Sequence, residues 1–238
     1  MMTTQPLPVD GWMQGLDLPP DQTISQWADE KRFIARGTSA EYGRWRTDRT
    51  PYAREPMDVI TDSETETVVL PWSSQVGKTE VLLNASGYFA EADPAPQMFV
   101  MPTLELADSF SVNRYQKPVE ASPALLSKIG YQSERSANNT TREKQYPGGD
   151  VVFAGANSPA SLASRPRRIV IFDEVDKYRQ NIGKDGNPIR QGVQRTQNFY
   201  NRKVILASSP SIEGLSEIDE WHKRSDQRVY EVPCVHCG

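Results

Sequence analysis

The sequence has few cysteines and histidines and no long apolar segment. Its 238 residues include only 2 cysteines and 2 histidines. Both cysteines lie in the C-terminal sequence CVHCG, residues 234–238, and two cysteines this close together cannot form the disulfide framework of a small secreted domain. No segment approaches the roughly 20 consecutive apolar residues that a membrane-spanning helix needs, so we expect no membrane association.

A large excess of one charge is also missing. The formal net charge of −4 excludes a protein that coats nucleic acid over its whole surface, although a local basic groove remains compatible with it. The opening residues MMTTQPLPVDGWMQ contain no basic stretch followed by an apolar run, so we expect no secretory signal and a cytoplasmic location. A chain of 238 residues suffices for one α/β core with at most a small appendage.

Alternating strand and helix patterns predict an α/β fold with a mainly parallel central sheet flanked by helices. After a loose arm at residues 1–22, the capping-box spacing Thr23-x-x-Gln26 predicts a helix over about 23–35, and residues 42–52 look irregular. The remaining pattern predicts strands over 67–70, 97–101, 151–154, 169–172 and 204–207, and helices over 78–91, 104–115, 188–199 and 214–223. The strand at 169–172 is apolar throughout, which is typical of a strand covered on both faces.

The first candidate site is the sequence VVLPWSSQVGKTEVLL, residues 68–83, which joins a predicted strand to a predicted helix. Gly77-Lys78-Thr79 matches the end of a phosphate-binding loop. In such a loop backbone N–H groups surround the phosphates, the lysine reaches the β- and γ-phosphates, and the threonine binds Mg²⁺. The motif expects glycine where Trp72 stands, because that position commonly needs a backbone freedom that a Cβ removes. The alternative is a plain strand-to-helix turn.

The second candidate site follows the apolar strand Ile169–Phe172. Asp173 and Glu174 come directly after it, at the edge of the sheet where α/β proteins bind ligands. This is the pattern of a Walker B motif, in which Asp173 orients the Mg²⁺ shell and Glu174 polarises the attacking water. A strand that ends in a solvated acidic turn is the alternative. Both motifs in this order favour an ATPase.

The third candidate is the end of the last predicted strand, where Ser208 and Ser209 follow Val204–Ala207. Small hydroxyl residues at this point can lie near the γ-phosphate and respond to its hydrolysis. An ordinary exit from strand to loop explains the same residues.

Taken together, these segments resemble the N-terminal ATPase half of the large terminase subunit of tailed bacteriophages, of the lambda-like type. The resemblance extends along most of the chain. It includes residues 27–29, 44–47, 51–52, 75–80, 155–159, 164–166, 173–176, 209–216, 225–228 and 232–238.

The resemblance implies a RecA-like fold with ATP and Mg²⁺ as cofactors, and it implies that a loop without its first glycine is a family trait. It further implies hydrolysis of ATP to translocate double-stranded DNA into a procapsid in the host cytoplasm. The implied partners are the portal protein, the small terminase subunit and further copies of the chain in a ring. The alternatives are a helicase-like DNA translocase, which should carry a second RecA-like domain, and a non-catalytic packaging scaffold.

Further site residues follow from the resemblance. The loop residues Ser73, Ser74, Gln75, Val76 and Glu80 join Gly77, Lys78 and Thr79 around the nucleotide. Tyr52 is expected to stack on adenine and Arg49 to contact it, with a plain core or surface aromatic as the alternative. Many terminase loops contain an arginine that is absent here. We therefore expect an arginine from a neighbouring subunit, with Arg195 favoured among several arginines that also suit salt bridges.

The two cysteines form the last candidate site in the sequence. Cys234 and Cys237 have the spacing of half a tetrahedral zinc site, which needs two further ligands. We expect Zn²⁺ only in a longer protein that also contains the endonuclease half, and a plain surface pair is the alternative. The predicted organisation is an N-terminal arm and adenine-side segment at 1–65, an ATPase core at 66–232, and the start of a zinc-knuckle region at 233–238.

Overall fold

The computed structural model describes residues 21–37, 41–130, 139–163, 165–179, 186–212, 214–234 and 236. Most of the predicted N-terminal arm and the predicted zinc ligand Cys237 lie outside these ranges. The two shortest strands, β1 (Phe33–Ile34) and β2 (Gly43–Arg44), pair in antiparallel fashion near the N-terminus.

In the described part of the chain, the main sheet has six strands. They are β3 (Thr67–Pro71), β4 (Gln97–Met101), β5 (Glu143–Tyr146), β6 (Gly149–Gly155), β7 (Ile169–Asp173) and β8 (Lys203–Ser208). Their spatial order is β3-β8-β7-β4-β6-β5, and every neighbouring pair is parallel except β5 with β6. The predicted mixed α/β class with a mainly parallel sheet is confirmed.

The strand order determines which chain segments meet at the carboxyl edge of the sheet. Strand β8 lies between β3 and β7, with Pro71 opposite Ser208 and Asp173 opposite Ala207. Because these three strands are parallel, their carboxyl ends reach the same edge. The segments after Pro71, Asp173 and Ser208, which include the three candidate sites, therefore emerge side by side.

Nine helices are present among the described residues. They are α1 (Ile24–Lys31), α2 (Arg54–Thr61), α3 (Lys78–Glu91), α4 (Leu104–Phe110), α5 (Gln116–Ala121), α6 (Pro123–Ile129), α7 (Pro159–Leu162), α8 (Pro188–Gln194) and α9 (Glu217–Lys223). A π-helical turn over Ser111–Tyr115 joins α4 to α5. In the described part of the chain, no helix combines the length and apolar character needed to cross a bilayer.

Apolar residues cover both faces of the sheet. Ile169 and Ile171 of β7 contribute to one hydrophobic core, whereas Val170 and Phe172 contribute to the other, as the alternation of side chains along a strand requires. The first core contains half of the residues of α3 together with buried residues of α1 and α2, and the second contains Ile189 of α8 and Ile218 of α9. The uninterrupted apolar run of β7 thus reflects helices on both faces.

Several boundaries differ from the sequence prediction. The first helix ends at Lys31 rather than near residue 35, because Arg32 turns into extended backbone and buries its guanidinium against Glu80 of α3. The helix predicted over 188–199 ends at Gln194, and the one predicted over 214–223 begins at Glu217, where Ser216 caps it. The helix predicted over 104–115 is α4 followed by the π-helical turn.

Candidate active site

The loop between β3 and α3 occupies residues 72–77 at the carboxyl edge of the sheet. Its left-handed residues are Gln75, with φ 63°, and Gly77, with φ 86°. Trp72 does not have a positive φ, so a Cβ at this position causes no backbone strain. The loop therefore makes its sharp turn near its end, and glycine is not required where Trp72 stands.

Trp72 anchors the loop through its side chain. Its ring packs edge-on against Tyr52, with 5.5 Å between the ring centroids. The Tyr52 hydroxyl donates a hydrogen bond of 3.0 Å to the carbonyl oxygen of Val76. Both ends of the loop are thus held by one tyrosine, the residue that the resemblance associates with adenine.

Lys78, the first residue of α3, places its side chain against the loop. Its side chain is buried, and its Nζ donates to the carbonyl oxygens of Trp72 at 2.9 Å and Ser73 at 3.1 Å. It also donates to the hydroxyl of Ser209 at 2.7 Å. The ammonium group therefore connects the loop to the end of β8, at the N-terminus of a 14-residue helix that no side chain caps. A positive group at an uncapped helix N-terminus is a favourable place for a phosphate.

Thr79 and Asp173 bring the first two candidate sites together. The Thr79 hydroxyl donates to Oδ2 of Asp173 at 3.4 Å, although these residues come from α3 and β7. Oδ1 of Asp173 is buried and has no hydrogen-bond partner. Burial, reinforced by the nearby Glu174 carboxylate, raises the pKa of Asp173 to about 6. A hydroxyl beside an unpartnered buried carboxylate oxygen fits the oxygen ligands that Mg²⁺ prefers.

Glu174 lies directly after this pair in an unusual backbone conformation. Its φ of 57° and ψ of 47° are left-handed, which is uncommon for a residue other than glycine. The carboxylate forms an ion pair with Lys177 at 3.2 Å and keeps part of its surface exposed. Strained backbone of this kind persists only where the surrounding structure enforces it, and it is frequent at functional sites.

Asp176 links the acidic strand end to the segment after β8, and sequence reasoning gave it no role of its own. Its backbone N–H donates to Ser208 Oγ at 3.2 Å. Its carboxylate accepts from the backbone N–H groups of Ser211 at 2.8 Å and Ile218 at 2.9 Å. Partial burial raises the pKa of Asp176, but these hydrogen bonds and one from Ser216 outweigh that effect and hold the pKa below its usual value. The spacing Asp173-x-x-Asp176 was the available signal.

Ser208 and Ser209 differ in their surroundings. Ser208 is fully buried and its hydroxyl lies between Asp176 and the Ser209 carbonyl oxygen, at 3.2 Å from each partner atom. Ser209 contacts Lys78 directly. The end of β8 therefore contacts both Asp176, which follows the acidic end of β7, and Lys78, which follows the phosphate loop.

Other predicted residues lie further from this centre. Glu80 is held by Arg32 at 3.0 Å and Arg114 at 3.4 Å, and Arg49 is an exposed partner of Glu41. Arg195 lies at the amino edge of the sheet, where its carbonyl oxygen accepts from the Arg167 N–H that precedes β7. It lines a polar cavity of about 320 Å³ together with Pro166, Gln194, Gln197 and Asn198. Its Nε is buried without a hydrogen-bond partner.

The predicted zinc ligand Cys234 is exposed near the end of the described chain. Its Sγ accepts a hydrogen bond of 3.4 Å from the His236 N–H. Within the described ranges, no group of three or more His, Cys, Asp and Glu side chains is arranged to hold a metal ion.

Comparison with known proteins gives a family match and two curated relatives. The family model described as phage terminase large subunit gpA, ATPase domain, matches residues 39–238. The large terminase subunit of Enterobacteria phage P21 is 26% identical over 225 residues, which are 94% of this chain and 35% of that protein. The large terminase subunit of Escherichia phage lambda is 24% identical over 228 residues, 95% of this chain and 35% of that protein. The chain thus spans about a third of these relatives.

Solved structures include similar domains at lower identity. The ATPase domain of the large terminase of Thermus phage P74-26 has a TM-score of 0.45 and 15% identity, over 66% of this chain and 64% of that one. A variant of the same domain has a TM-score of 0.45 and 16% identity, over 64% of each chain.

Proposed function

Because this chain belongs to the family of phage terminase large subunit gpA ATPase domains, we propose that it hydrolyses Mg·ATP at the carboxyl edge of its sheet to drive double-stranded DNA into a procapsid. The observation that most supports this proposal is that Lys78, Thr79 and Asp173 lie close together in space. The Thr79 hydroxyl lies 3.4 Å from Asp173, and Lys78, the residue before Thr79, contacts the loop through the Trp72 carbonyl oxygen. The family match favours neither a helicase-like translocase nor a non-catalytic scaffold.

Each residue of the centre has a distinct proposed task. Residues 73–80 surround the phosphates, and the Lys78 ammonium exchanges its carbonyl partners for the β- and γ-phosphate oxygens. Thr79 and Asp173 hold Mg²⁺, which supplies neutralisation of phosphate charge when it is bound. Glu174 accepts a proton from the attacking water, and Ser208 and Ser209 transmit the loss of the γ-phosphate to the segment after β8.

Two further contacts to the nucleotide belong to this proposal. Tyr52 contacts adenine from its position beside the loop, and Arg49 assists from the same segment. Arg195 acts on the nucleotide of a neighbouring subunit, because it lies at the edge of the sheet opposite to its own phosphate loop. A charge supplied in this way stabilises the transition state of phosphoryl transfer.

The wider role concerns the longer protein. We propose that the chain acts in the host cytoplasm with the portal protein and the small terminase subunit, as a ring of several copies. Residues 1–65 form the adenine-side segment, 66–232 the ATPase core and 233–238 the start of a zinc-knuckle region. Cys234 and Cys237 supply half of a zinc site there, and the endonuclease belongs to the part of the longer protein that follows.

The substitution Glu174→Gln tests the proposal. The amide keeps the size of the side chain but cannot accept a proton, so we expect ATP binding to persist while turnover falls by roughly 10²-fold or more. Magnesium-dependent phosphate release measures turnover, and calorimetric titration with ATP measures binding. Lys78→Ala is the matched control, since it removes the phosphate contact and should abolish binding as well. Unchanged turnover in Glu174→Gln contradicts the assignment of the catalytic base.

A further inference from the structure

The segment after α9 returns to the phosphate loop. Helix α9 packs on the second hydrophobic core through Ile218 and Trp221, whereas Tyr52 packs against the first core, on the other face of the sheet. The chain after α9 therefore links the two faces, because Arg228 contacts Glu55 of α2 and Tyr230 contacts Tyr52. Arg228 of this segment forms an exposed ion pair of 2.7 Å with Glu55 in the first turn of α2.

Tyr230 reaches the loop from this segment. Its ring packs against Tyr52 with 6.0 Å between the centroids and 69° between the ring planes. Tyr52 in turn packs against Trp72 and donates to Val76, so both its ring and its hydroxyl are engaged with neighbouring groups. Tyr230 keeps 55% of its surface exposed. Of these three aromatic side chains, Tyr230 is therefore the one with the most open ring surface.

We propose that Tyr230 is the stacking platform for the base of the bound nucleotide, and that Tyr52 forms the adjoining wall of the same subsite. The inference rests on the proposed nucleotide site, to which it adds a residue from a distant part of the chain. Two rings inclined at 69° form a corner. A flat base can stack on one of them and meet the other with its edge, an arrangement that aromatic groups favour.

The position of the corner agrees with the position of the phosphates. The Tyr52 hydroxyl binds the carbonyl oxygen of Val76, one residue before Gly77 and two before Lys78. Tyr52 contacts Trp72 at the start of the loop on one side and Tyr230 on another, with 6.0 Å between the Tyr52 and Tyr230 ring centroids. A nucleotide with its phosphates at the start of α3 can therefore direct its sugar and base along Tyr52 towards Tyr230.

Stacking on an aromatic ring depends little on which base is bound, because every base has a flat π-face. Contact with the base should therefore distinguish ATP from a ligand that has phosphates but no base. Inorganic tripolyphosphate is such a ligand, and it engages only the loop. The difference between the two ligands isolates the contribution of the base subsite.

Calorimetric titrations with Mg·ATP and with magnesium tripolyphosphate test the inference on the 238-residue chain. We expect Tyr230→Ala to lose roughly tenfold in affinity for ATP and to bind tripolyphosphate as the wild type does. Tyr230→Phe should retain the affinity for ATP, because the ring remains. Tyr200→Ala is the matched control, since Tyr200 is 95% exposed and lies just before β8 begins at the opposite edge of the sheet.

A second measurement follows the segment itself. Trypsin cleavage after Arg228 should slow when ATP is bound and remain unchanged with tripolyphosphate. Equal ATP affinity in Tyr230→Ala and wild type, or an equal loss for both ligands, contradicts the inference alone. Failure of the wild-type chain to bind either ligand contradicts the proposed function and the inference with it.

Discussion

Asp173 shows at the scale of a single residue that the site is arranged for binding rather than for stability. It is 3% exposed and one of its carboxylate oxygens has no hydrogen-bond partner. Burying a carboxylate without full compensation costs free energy, and its raised pKa is the sign of that cost. A bound cation removes the cost, so the residue couples metal binding to the stability of the domain.

Asp173→Asn should therefore stabilise the nucleotide-free chain at neutral pH while abolishing magnesium-dependent nucleotide binding. The folded pKa of about 6 exceeds the usual 3.8, so above pH 6 the folded chain bears the full cost of the buried charge. Between about pH 6 and pH 4 the folded chain takes up a proton and the cost disappears. We expect a gain of roughly 2–3 kcal/mol in the free energy of unfolding at pH 7, because one pKa unit is worth about 1.4 kcal/mol.

Urea unfolding of wild type and variant at several pH values measures this gain. The advantage of Asp173→Asn should shrink as the pH falls below 6. Asp48→Asn provides the control, because the Asp48 side chain is 90% exposed and its substitution removes no buried charge. A variant that is less stable than the wild type at every pH would refute the interpretation of Asp173 as a strained, metal-binding carboxylate.

The residues at this centre were predictable from sequence only in part. The types and order of Lys78, Thr79 and Asp173 predicted that they belong together, because parallel strands deliver their carboxyl ends to one edge. The location of the left-handed turn was not predictable. The turn depends on Gln75 and Gly77. Only the backbone conformation shows that Trp72 does not adopt a left-handed φ. The side-chain role of Trp72 requires Tyr52, whose position depends on tertiary packing.

At the scale of secondary structure elements, Asp176 joins the 3₁₀ turn after β7 to the loop after β8 and to α9. Its carboxylate accepts hydrogen bonds from the backbone N–H groups of Ser211 and Ile218. Neither N–H group has a partner within a strand or a helix. The loop that begins at Ser209 is thus fixed at both ends, by Lys78 and by Asp176. A conformational change at Glu174 can therefore reach α9 through Asp176, which is two residues away in the sequence.

Asp176→Ala should lower the free energy of unfolding by roughly 1–3 kcal/mol, because it leaves backbone donors without partners. Asp176→Asn keeps one acceptor oxygen and should lose less. Hydrogen exchange at the amides of Ser211 and Ile218 should accelerate in both variants, and urea unfolding gives the free energies. The exposed Asp21→Asn is the control. Unchanged exchange at Ile218 in Asp176→Ala would show that this carboxylate does not hold α9.

Sequence patterns located the long elements better than the short ones. Helix α3 and strand β4 have the predicted boundaries, because α3 carries apolar residues over most of its turns and β4 is buried throughout. Strand β5 was missed, since its sequence EKQY is polar and its buried positions are Lys144 and Tyr146. A lysine is buried there because its Nζ donates to Asn139 and Thr140, and those contacts depend on the folded loop. Helix ends such as Gln194 also depend on tertiary contacts.

At the scale of the whole molecule, the carboxyl ends and the amino ends of the parallel strands have different proposed roles. The phosphate loop and the acidic strand end lie at the carboxyl edge, and Arg195 lies at the amino edge. Strand β7 has five residues and separates the two edges by about 17 Å. In the proposed assembly, Arg195 therefore cannot reach the nucleotide of its own subunit without a large movement, whereas the nucleotide of a neighbour would be open to it.

Mixing two inactive variants tests whether Arg195 acts between subunits. Arg195→Ala keeps an intact nucleotide site and Lys78→Ala keeps an intact arginine, so assemblies that contain both should recover ATPase activity. Each variant alone should lose roughly 10³-fold in turnover. Arg190→Ala, which removes an exposed arginine of the helix α8 that precedes Arg195, should remain active without mixing. Mixed assemblies no more active than the separate variants would exclude Arg195 from this role.

The order of strands in the sheet also has a consequence for synthesis of the chain. Strand β3 lies at the edge of the described sheet and pairs there with β8 alone, which leaves the ribosome far later. Pairing across such a sequence distance is slow, since the intervening chain must first be ordered. Residues 68–83 are therefore made early, but the proposed nucleotide site is complete only after Ser208 has emerged. By this proposal, ATP cannot guide the early stages of folding and stabilises only the completed domain.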